Sequence, residues 1–194
     1  GPSGCGKSTL LKAVAGFMPI AAGAMELEGR RIARPGPDRV VVFQEFDQLL
    51  PWKTVLANVV YPLRVARGLP APRARETAES FLAMVGLDRF AASYPHQLSG
   101  GMKQRVAIAR ALALDPRMLL MDEPFASLDA LTRHKLREEL LAIWEATRKT
   151  LLFVTHSIEE AVLLADRVVV LKGRPAKVHE VVQVDLPRPR NRAT

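Results

Sequence analysis

The first eight residues have the spacing of a phosphate-binding loop. Gly1, Gly6, Lys7 and Ser8 occupy the fixed positions of the pattern G-x-x-x-x-G-K-S/T. Glycines let the backbone wrap closely around phosphate and turn its N–H groups inward, and a helix beginning near Lys7 adds its positive dipole end. We expect Lys7 to neutralise the β- and γ-phosphates of a nucleotide and the Ser8 hydroxyl to bind Mg²⁺. The nucleotide contacts predicted from this loop are Gly1, Ser3, Gly4, Cys5, Gly6, Lys7, Ser8 and Thr9.

The alternative for this segment is a glycine-rich turn that precedes a helix and binds nothing. A chance match to the pattern is expected in roughly one per cent of chains of this size, from average composition. Cys5 is the single cysteine of the chain. We interpret it as a small residue facing the loop, because no second cysteine is present to form a redox pair.

Two adjacent acids follow a short apolar strand predicted over 118–121. A carboxylate at the end of a strand can reach the phosphate loop, so we expect Asp122 to hold Mg²⁺, mostly through water. Glu123 is the candidate for polarising the attacking water. The alternative is a pair of acids on a surface turn, which would leave the preceding apolar run unexplained.

Two further polar residues follow predicted strands. Gln44 comes after the strand at 40–43, and its amide can contact Mg²⁺ or the water and report on the γ-phosphate. His156 follows the strand at 151–154 and can donate a hydrogen bond to the γ-phosphate, which would stabilise charge in the transition state. A lone histidine at a strand end is otherwise a structural hydrogen-bonding group.

A second helix start, at residues 98–105, has the features of an anion-binding site. Ser99 can cap this helix, and Gly100 and Gly101 leave its first N–H groups bare. One nucleotide needs only one such site, so we expect Ser99, Gly100 and Gly101 to contact the γ-phosphate held by Lys7 of a second copy. Two chains facing head to tail would bury two ATP molecules between them. The alternative is a capped helix without a ligand.

Helices and strands alternate around these residues. Helices are predicted over 7–16, 54–67, 73–85, 101–114, 131–147 and 158–165, and strands over 25–28, 40–43, 118–121, 151–154, 168–171 and 178–184. The alternation indicates an α/β fold with a mainly parallel sheet covered by helices. The stretch 54–85 contains no strand and is broken at 68–72 by glycine and prolines, which indicates an inserted helical subdomain.

Composition limits the classes of partner. The chain has 194 residues, enough for one domain, and no apolar run approaches the roughly 20 residues that span a bilayer. A net charge of +8 is compatible with nucleic acid, an anionic membrane surface or a nucleotide. Basic residues are scattered and aromatics make up only 6%, so nucleic acid is not expected. Because Gly1 opens a motif that normally follows a buried strand, we expect the N-terminal strands to be missing from this chain, which would make it a fragment.

The motifs together resemble those of ABC transporter ATPases, a family with a P-loop NTPase fold. They occur in the order seen in that family from Gly1 to about Asp166, and the Ser-Gly-Gly motif is specific to it. The matching segments are the phosphate loop, Gln44, Leu98-Ser99-Gly100-Gly101-Met102-Lys103-Gln104, Met121-Asp122-Glu123-Pro124, Ser127-Leu128-Asp129 and Thr155-His156. Leu50-Pro51-Trp52 and the ending Asp185-Leu186-Pro187-Arg188-Pro189-Arg190 look like the nitrate, sulfonate and taurine importer group.

The resemblance implies an ATP-binding and ATP-hydrolysing subunit that powers import of a small solute, with ATP and Mg²⁺ as ligands. It implies a nucleotide-binding core at 1–50 and 115–194 and a helical subdomain with the signature motif at 51–114. Asp129 would contact the partner protomer at the nucleotide. The implied partners are a second copy, a membrane permease and, indirectly, a periplasmic or extracytoplasmic solute-binding protein, which places the subunit at the cytoplasmic face of the cell membrane.

The region 44–67 is the expected contact with the permease. We expect exposed side chains of Phe46, Leu49, Leu50 and Trp52 to form a groove there for a helix of the membrane subunit. Core packing is the alternative for Trp52.

Three other functions compete with the importer. A soluble ABC-type ATPase acting on DNA would carry a long coiled coil between Gln44 and Ser99, and this gap has no sustained heptad. An exporter ATPase is often fused to membrane helices, and the given sequence contains no segment of that kind. A kinase or GTPase with a phosphate loop would give no reason for a second anion-binding helix start.

Overall fold

The computed structural model describes residues 4–44, 48–126, 128–173, 175–188 and 190. The helices are α1 (Lys7–Val14), α2 (Val55–Val65), α3 (Ala71–Met84), α4 (Gly100–Ala113), α5 (Ala130–Thr147) and α6 (Ile158–Leu164). The strands are β1 (Glu26–Leu27), β2 (Arg30–Arg31), β3 (Arg39–Val42), β4 (Met118–Asp122), β5 (Thr150–Val154), β6 (Arg167–Lys172) and β7 (Lys177–Gln183). Short 3₁₀ turns lie at Asp88–Phe90 and Pro95–Gln97.

A parallel sheet with the order β3-β4-β5 lies at the centre of the described chain. On β4, Leu119 and Met121 join the large apolar cluster formed with the helices, and Leu120 joins a second cluster with Leu11 of α1. Because β4 is buried on both faces, its sequence is a continuous apolar run without polar alternation. The α/β fold predicted from the sequence is confirmed.

The helices α2, α3 and α4 pack against one another, and α4 also contacts β3. Thr54 caps α2 by accepting a hydrogen bond from Ala57 N at 3.2 Å. Asn58, fully buried inside α2, donates to the carbonyls of Leu50 and Lys53 at 3.1 Å and so closes the loop that precedes the helix.

Two expectations about local structure are wrong. Leu49 was expected to be exposed, but only 4% of it is exposed. Pro72 was expected to lie in the break between helices, but α3 already begins at Ala71, because proline lacks an N–H that the first helical turn would leave unpaired anyway. Of the other residues expected to form an exposed groove with Leu49, Trp52 is 70% exposed as expected, Leu50 is half-buried, and Phe46 lies outside the described residues. The last two strands, β6 and β7, form an antiparallel hairpin that is separate from the parallel sheet.

None of the helices in the described residues combines the length and apolar character needed to cross a bilayer.

Candidate functional site

The site lies at the carboxyl ends of β4 and β5. The two strands run parallel with Asp122 opposite Val154, so the residues that follow them leave the sheet side by side. Glu123 N donates to the Val154 carbonyl at 2.9 Å and continues the pairing for one more residue. Glu123 has φ of +45°, a left-handed conformation that costs a glutamate free energy and turns the chain sharply out of the strand.

Two ionisable groups converge on the Glu123 carboxylate. Lys7 Nζ lies 3.7 Å from Oε1, and His156 Nδ1 lies 2.9 Å from Oε2. Because a carboxylate without a proton only accepts, the proton of this second contact lies on Nδ1 of the imidazole. The lysine and glutamate side chains are 11% and 20% exposed, and the histidine side chain is 63% exposed. The open side of the cluster therefore lies at His156.

Ser8 and Asp122 form a second pair beside the first. Ser8 Oγ donates to Asp122 Oδ1 at 3.0 Å, across 114 residues of sequence. Both groups offer hard oxygen atoms, which is the chemistry preferred by divalent cations such as Mg²⁺. Two adjacent ligands of an octahedral ion with bonds of about 2.1 Å also lie about 3.0 Å apart, so the pair fits the spacing of such an ion.

The start of α1 brings Lys7 and Ser8 to these acids. Gly6 has φ of +108° and no side chain caps the first turn, so its N–H groups are open to an anion. Leu11 of α1 is fully buried against Leu120 of β4, which anchors the helix on the sheet. Cys5 is 5% exposed, as expected of a small residue folded into the loop. Thr9 is exposed on the helix surface.

The sequence predicts four further contacts with the nucleotide or Mg²⁺, at Gly1, Ser3, Gly4 and Gln44. Gly4 is exposed with φ of +74°, a conformation suited to glycine. Gly1 and Ser3 lie outside the described residues. Gln44 is exposed and follows β3 at the same edge of the sheet as Asp122, since Val42 is opposite Met121.

The second helix start lies at α4. Ser99 is exposed, and its hydroxyl accepts a hydrogen bond from Met102 N at 3.3 Å. Gly101 is buried, and a Cβ added there would lie 2.8 Å from Thr132 Cγ2 of α5. The need for glycine at this position therefore has a packing reason, namely the close approach of α4 and α5. Gly100 is half-buried.

Asp129 caps α5 on the exposed side of the same contact. Its carboxylate accepts a hydrogen bond from Thr132 N at 3.0 Å. This hydrogen bond holds the pKa of Asp129 below its ordinary value. Asp129 and Ser99 thus stand at the starts of two neighbouring helices whose first turns are joined by Gly101 and Thr132.

The sequence reasoning missed a buried ion pair behind His156. Arg137 of α5 donates to Glu160 of α6, and both residues are 5% exposed. One signal was available: Ser157 and Glu160 have the S-x-x-E spacing of a helix-capping box. No comparable signal marks Arg137, which lies in the middle of a helix.

The sequence reasoning also missed a group of hydrogen-bonded side chains that joins the end of β3 to α4. The Gln48 side chain bonds both backbone groups of Phe43, at 3.2 and 3.1 Å, and donates to Gln104 Oε1 at 3.3 Å. Arg110 of α4 donates to the Gln48 carbonyl at 2.8 Å. Burial lowers the pKa of the Arg110 guanidinium.

Comparison with known proteins matches residues 1–126 to the ABC transporter family. The taurine import ATP-binding protein TauB of Rhizobium johnstonii is 53% identical over 186 residues, which are 96% of this chain and 70% of that protein. The nitrate import ATP-binding protein NrtD of Synechococcus elongatus is 50% identical over 194 residues, covering 99% of this chain and 70% of that protein. A solved dimer of the ATP-binding cassette MJ0796, bound to ADP and phosphate after hydrolysis, is 35% identical with a TM-score of 0.80, over 94% of this chain and 82% of its own.

Proposed function

The chain belongs to the ABC transporter family of ATP-binding subunits, and we propose that it hydrolyses ATP to power import of a small anion through a membrane permease. The observation that carries the hydrolytic part is the convergence of Lys7 and His156 on the Glu123 carboxylate. The anion is inferred from the relatives named for taurine and nitrate import, which are at least 50% identical to this chain.

The role proposed for each residue follows from the chemistry of its side chain. Lys7 and the N–H groups of the first α1 turn bind the phosphates of ATP. Glu123 orients the attacking water and takes up its proton, because a carboxylate that accepts from His156 and forms an ion pair with Lys7 still has lone pairs for the water. A doubly protonated His156 can keep its Nδ1 bond to Glu123 while it donates from Nε2 to the γ-phosphate.

Ser8 and Asp122 are the proposed holders of Mg²⁺, with Gln44 as a further contact at the same edge. The 3.0 Å spacing of the Ser8 and Asp122 oxygen atoms and their hard-ligand chemistry support this. When bound, Mg²⁺ neutralises charge on the β- and γ-phosphates.

We place the second half of the site on another copy of the chain. Exposed Ser99 and Asp129 stand at two uncovered helix starts that are held side by side by the α4–α5 contact. In a two-fold dimer, Ser99, Gly100 and Gly101 of each copy would close over the γ-phosphate held by Lys7 of the other, and Asp129 would contact the partner there. The dimeric arrangement of the similar cassette MJ0796 supports the pairing.

The proposed permease contact lies on α2. A groove of about 610 Å³ is lined by Lys53, Tyr61, Arg64 and Val65 among others, and Trp52, the residue before Lys53, is 70% exposed. Apolar lining residues together with a lysine and an arginine suit an amphipathic helix that carries acidic residues. We propose a helix of the permease as its occupant.

We also propose how the chain is divided into two parts and where it is located. The division into a core (1–50 and 115–194) and a helical subdomain (51–114) is supported by the mutual packing of α2, α3 and α4. We place the chain on the cytoplasmic face of the membrane as part of this proposal, with a solute-binding protein on the other face to deliver the anion.

The hydrolytic role is tested by Glu123→Gln in the full-length protein. We expect ATP binding to be kept and turnover to fall by about 10² or more, because the amide cannot take up the proton of water. Binding is measured by calorimetry and turnover by phosphate release, with Glu76→Gln on the exposed face of α3 as the matched control. Wild-type turnover in Glu123→Gln would remove this residue from the reaction.

A further inference from the structure

The strongest unexplained feature of the described chain is the buried ion pair between α5 and α6. Glu160 Oε1 accepts from Arg137 Nη2 at 2.9 Å and from Nε at 3.2 Å. Arg137 Nη1 also lies 3.3 Å from Glu159 Oε1. Burying two charges is costly, and apolar residues of similar size often stabilise a fold as well or better. The proposed reaction does not use this pair, so we looked for its role in the part of the chain that it holds in place.

The second carboxylate oxygen of Glu160 holds the loop that carries His156. Glu160 Oε2 accepts from the Thr155 hydroxyl at 2.5 Å, and the Thr155 oxygen in turn accepts from Ser157 N at 2.9 Å. Ser157 Oγ accepts from Glu160 N at 3.3 Å and closes the circuit. The residues on both sides of His156 are therefore tied to one buried carboxylate.

The arrangement departs from an ordinary capping box in one respect. In such a box the glutamate side chain would accept from the backbone N–H of the capping residue, here Ser157. Ser157 N donates to the Thr155 hydroxyl instead, and the two carboxylate oxygens of Glu160 accept hydrogen bonds from Arg137 and Thr155. The helix start is capped without the help of the carboxylate, so capping does not explain why the carboxylate is buried there.

The imidazole itself has little packing to hold it. Its side chain is 63% exposed, and its described polar contact is the 2.9 Å approach of Nδ1 to Glu123 Oε2. Its position therefore depends on the backbone of residues 155–157. We propose that Glu160, held by Arg137 and acting through the Thr155 hydroxyl, is a positioning residue that keeps His156 on Glu123 and in line with the γ-phosphate. This inference rests on the proposed role of His156 in hydrolysis.

The ion pair also joins this loop to α5, the helix that begins at Asp129. Arg137 lies two helical turns beyond the capped start of α5.

Thr155→Val in the full-length protein separates positioning from folding. It removes the hydroxyl that links Glu160 to the loop and leaves the Arg137–Glu160 pair intact. We expect kcat to fall by about tenfold to a hundredfold, the range typical of a displaced catalytic group, with the Kd for ATP unchanged. Thr155→Ser keeps the hydroxyl and should restore kcat. Thr150→Val, at the other end of β5, is the matched control and should resemble the wild type.

The decisive measurement compares two backgrounds. If Glu160 acts through His156, Thr155→Val lowers the rate in the wild type but changes it less than about twofold in a His156→Ala background, where nothing is left to position. Single turnovers with enzyme in excess keep the slow rates measurable, and thermal midpoints report folding. Glu160→Gln, which weakens the bond to Arg137, should show the same pattern.

Two results would overturn the inference. One is a wild-type kcat in Thr155→Val. The other is an equal loss of rate in both backgrounds, which would mean a general structural role. Failure of the proposed function looks different, since it would appear as wild-type turnover in His156→Ala and Glu123→Gln whatever the Thr155 variants do.

Discussion

The helices α1 and α4 both begin at glycine-containing turns, but their surroundings differ. At α1, Gly6 leaves the first turn uncapped, and Lys7 and Ser8 contact two acids at the end of β4. At α4, Ser99 caps the first turn, and Gly101 is buried against Thr132. The first start is surrounded by reactive groups of its own chain, whereas the second is packed firmly on one side and exposed on the other.

The difference supports the proposed division of the nucleotide site between two copies of the chain. The α1 start supplies the charge and the proton-accepting groups that the proposed hydrolysis needs. The α4 start is fixed to α5 by the Gly101–Thr132 contact and by the Arg105–Glu139 ion pair at 2.9 Å, so it presents Ser99 at a constant position. A surface that is rigid and exposed suits contact with a second copy.

Turnover should change most when the start of α1 or of α4 is disabled. Lys7→Ala removes the phosphate-binding charge, and Ser99→Arg fills the exposed start of α4, so each variant alone should lose nearly all turnover. In an equal mixture of the two, half the dimers are mixed and contain one intact site, which should restore about a quarter of wild-type turnover if the sites act independently. Phosphate release after subunit exchange measures this.

The control for the mixing experiment is Lys12→Ala, at the last turn of α1, which should be active alone. No recovery in a mixture that demonstrably forms mixed dimers would mean that both helix starts serve the same copy, and the dimeric site would have to be abandoned.

Replacing Gly101 or Gly6 by alanine should lower the free energy of unfolding, but for different reasons. Gly101→Ala places Cβ 2.8 Å from Thr132 Cγ2, and we expect it to lower the free energy of unfolding by about 1 to 3 kcal/mol. Thr132→Ala removes that methyl group and should recover most of the loss. Gly6→Ala has no neighbour within 4 Å but keeps φ of +108°, so its cost of about 1 kcal/mol is backbone strain.

Chemical denaturation of the single and double variants measures this difference. Thr132→Ala should rescue Gly101→Ala and leave the cost of Gly6→Ala unchanged. Equal rescue of both glycine variants, or of neither, would show that the α4–α5 contact does not set the requirement for glycine at 101.

The sequence predicted which residues lie together on the α1 side of the candidate site, for a physical reason. An apolar run that ends in Asp122 and Glu123 indicates a buried strand, and parallel strands bring their carboxyl ends to one edge. His156 could be placed there because it follows the next strand. Local pattern and tertiary structure agree at these positions.

The remaining features depend on packing that has no local signature. Arg137 and Glu160 are 23 residues apart and meet only because α5 and α6 pack together. Gly101 was interpreted as a phosphate contact, and its burial under Thr132 required the position of α5. Leu49 lies in a loop without periodicity, so the sequence did not indicate which side faces the core.

The charge at the start of α5, beside α4, should contribute only slightly to stability. The hydrogen bond from Thr132 N lowers the pKa of Asp129 in the folded chain. The charge therefore stabilises the fold above the ordinary aspartate pKa of about 3.9, and this contribution is lost as the pH falls through the lower folded value. Asp129→Asn keeps a capping oxygen without the charge. The thermal midpoint of the wild type should exceed that of Asp129→Asn at pH 6, and the gap should close toward pH 2.

Because Asp129 is exposed, salt should narrow the same gap at pH 6. Asp129→Ala is the comparison variant, since it removes the cap itself and should stay less stable than Asp129→Asn throughout the titration. If the gap between the wild type and Asp129→Asn is the same at pH 2 as at pH 6, charge is not what Asp129 adds to α5. The start of α5 would then resemble that of α4, where the neutral hydroxyl of Ser99 is sufficient as a cap.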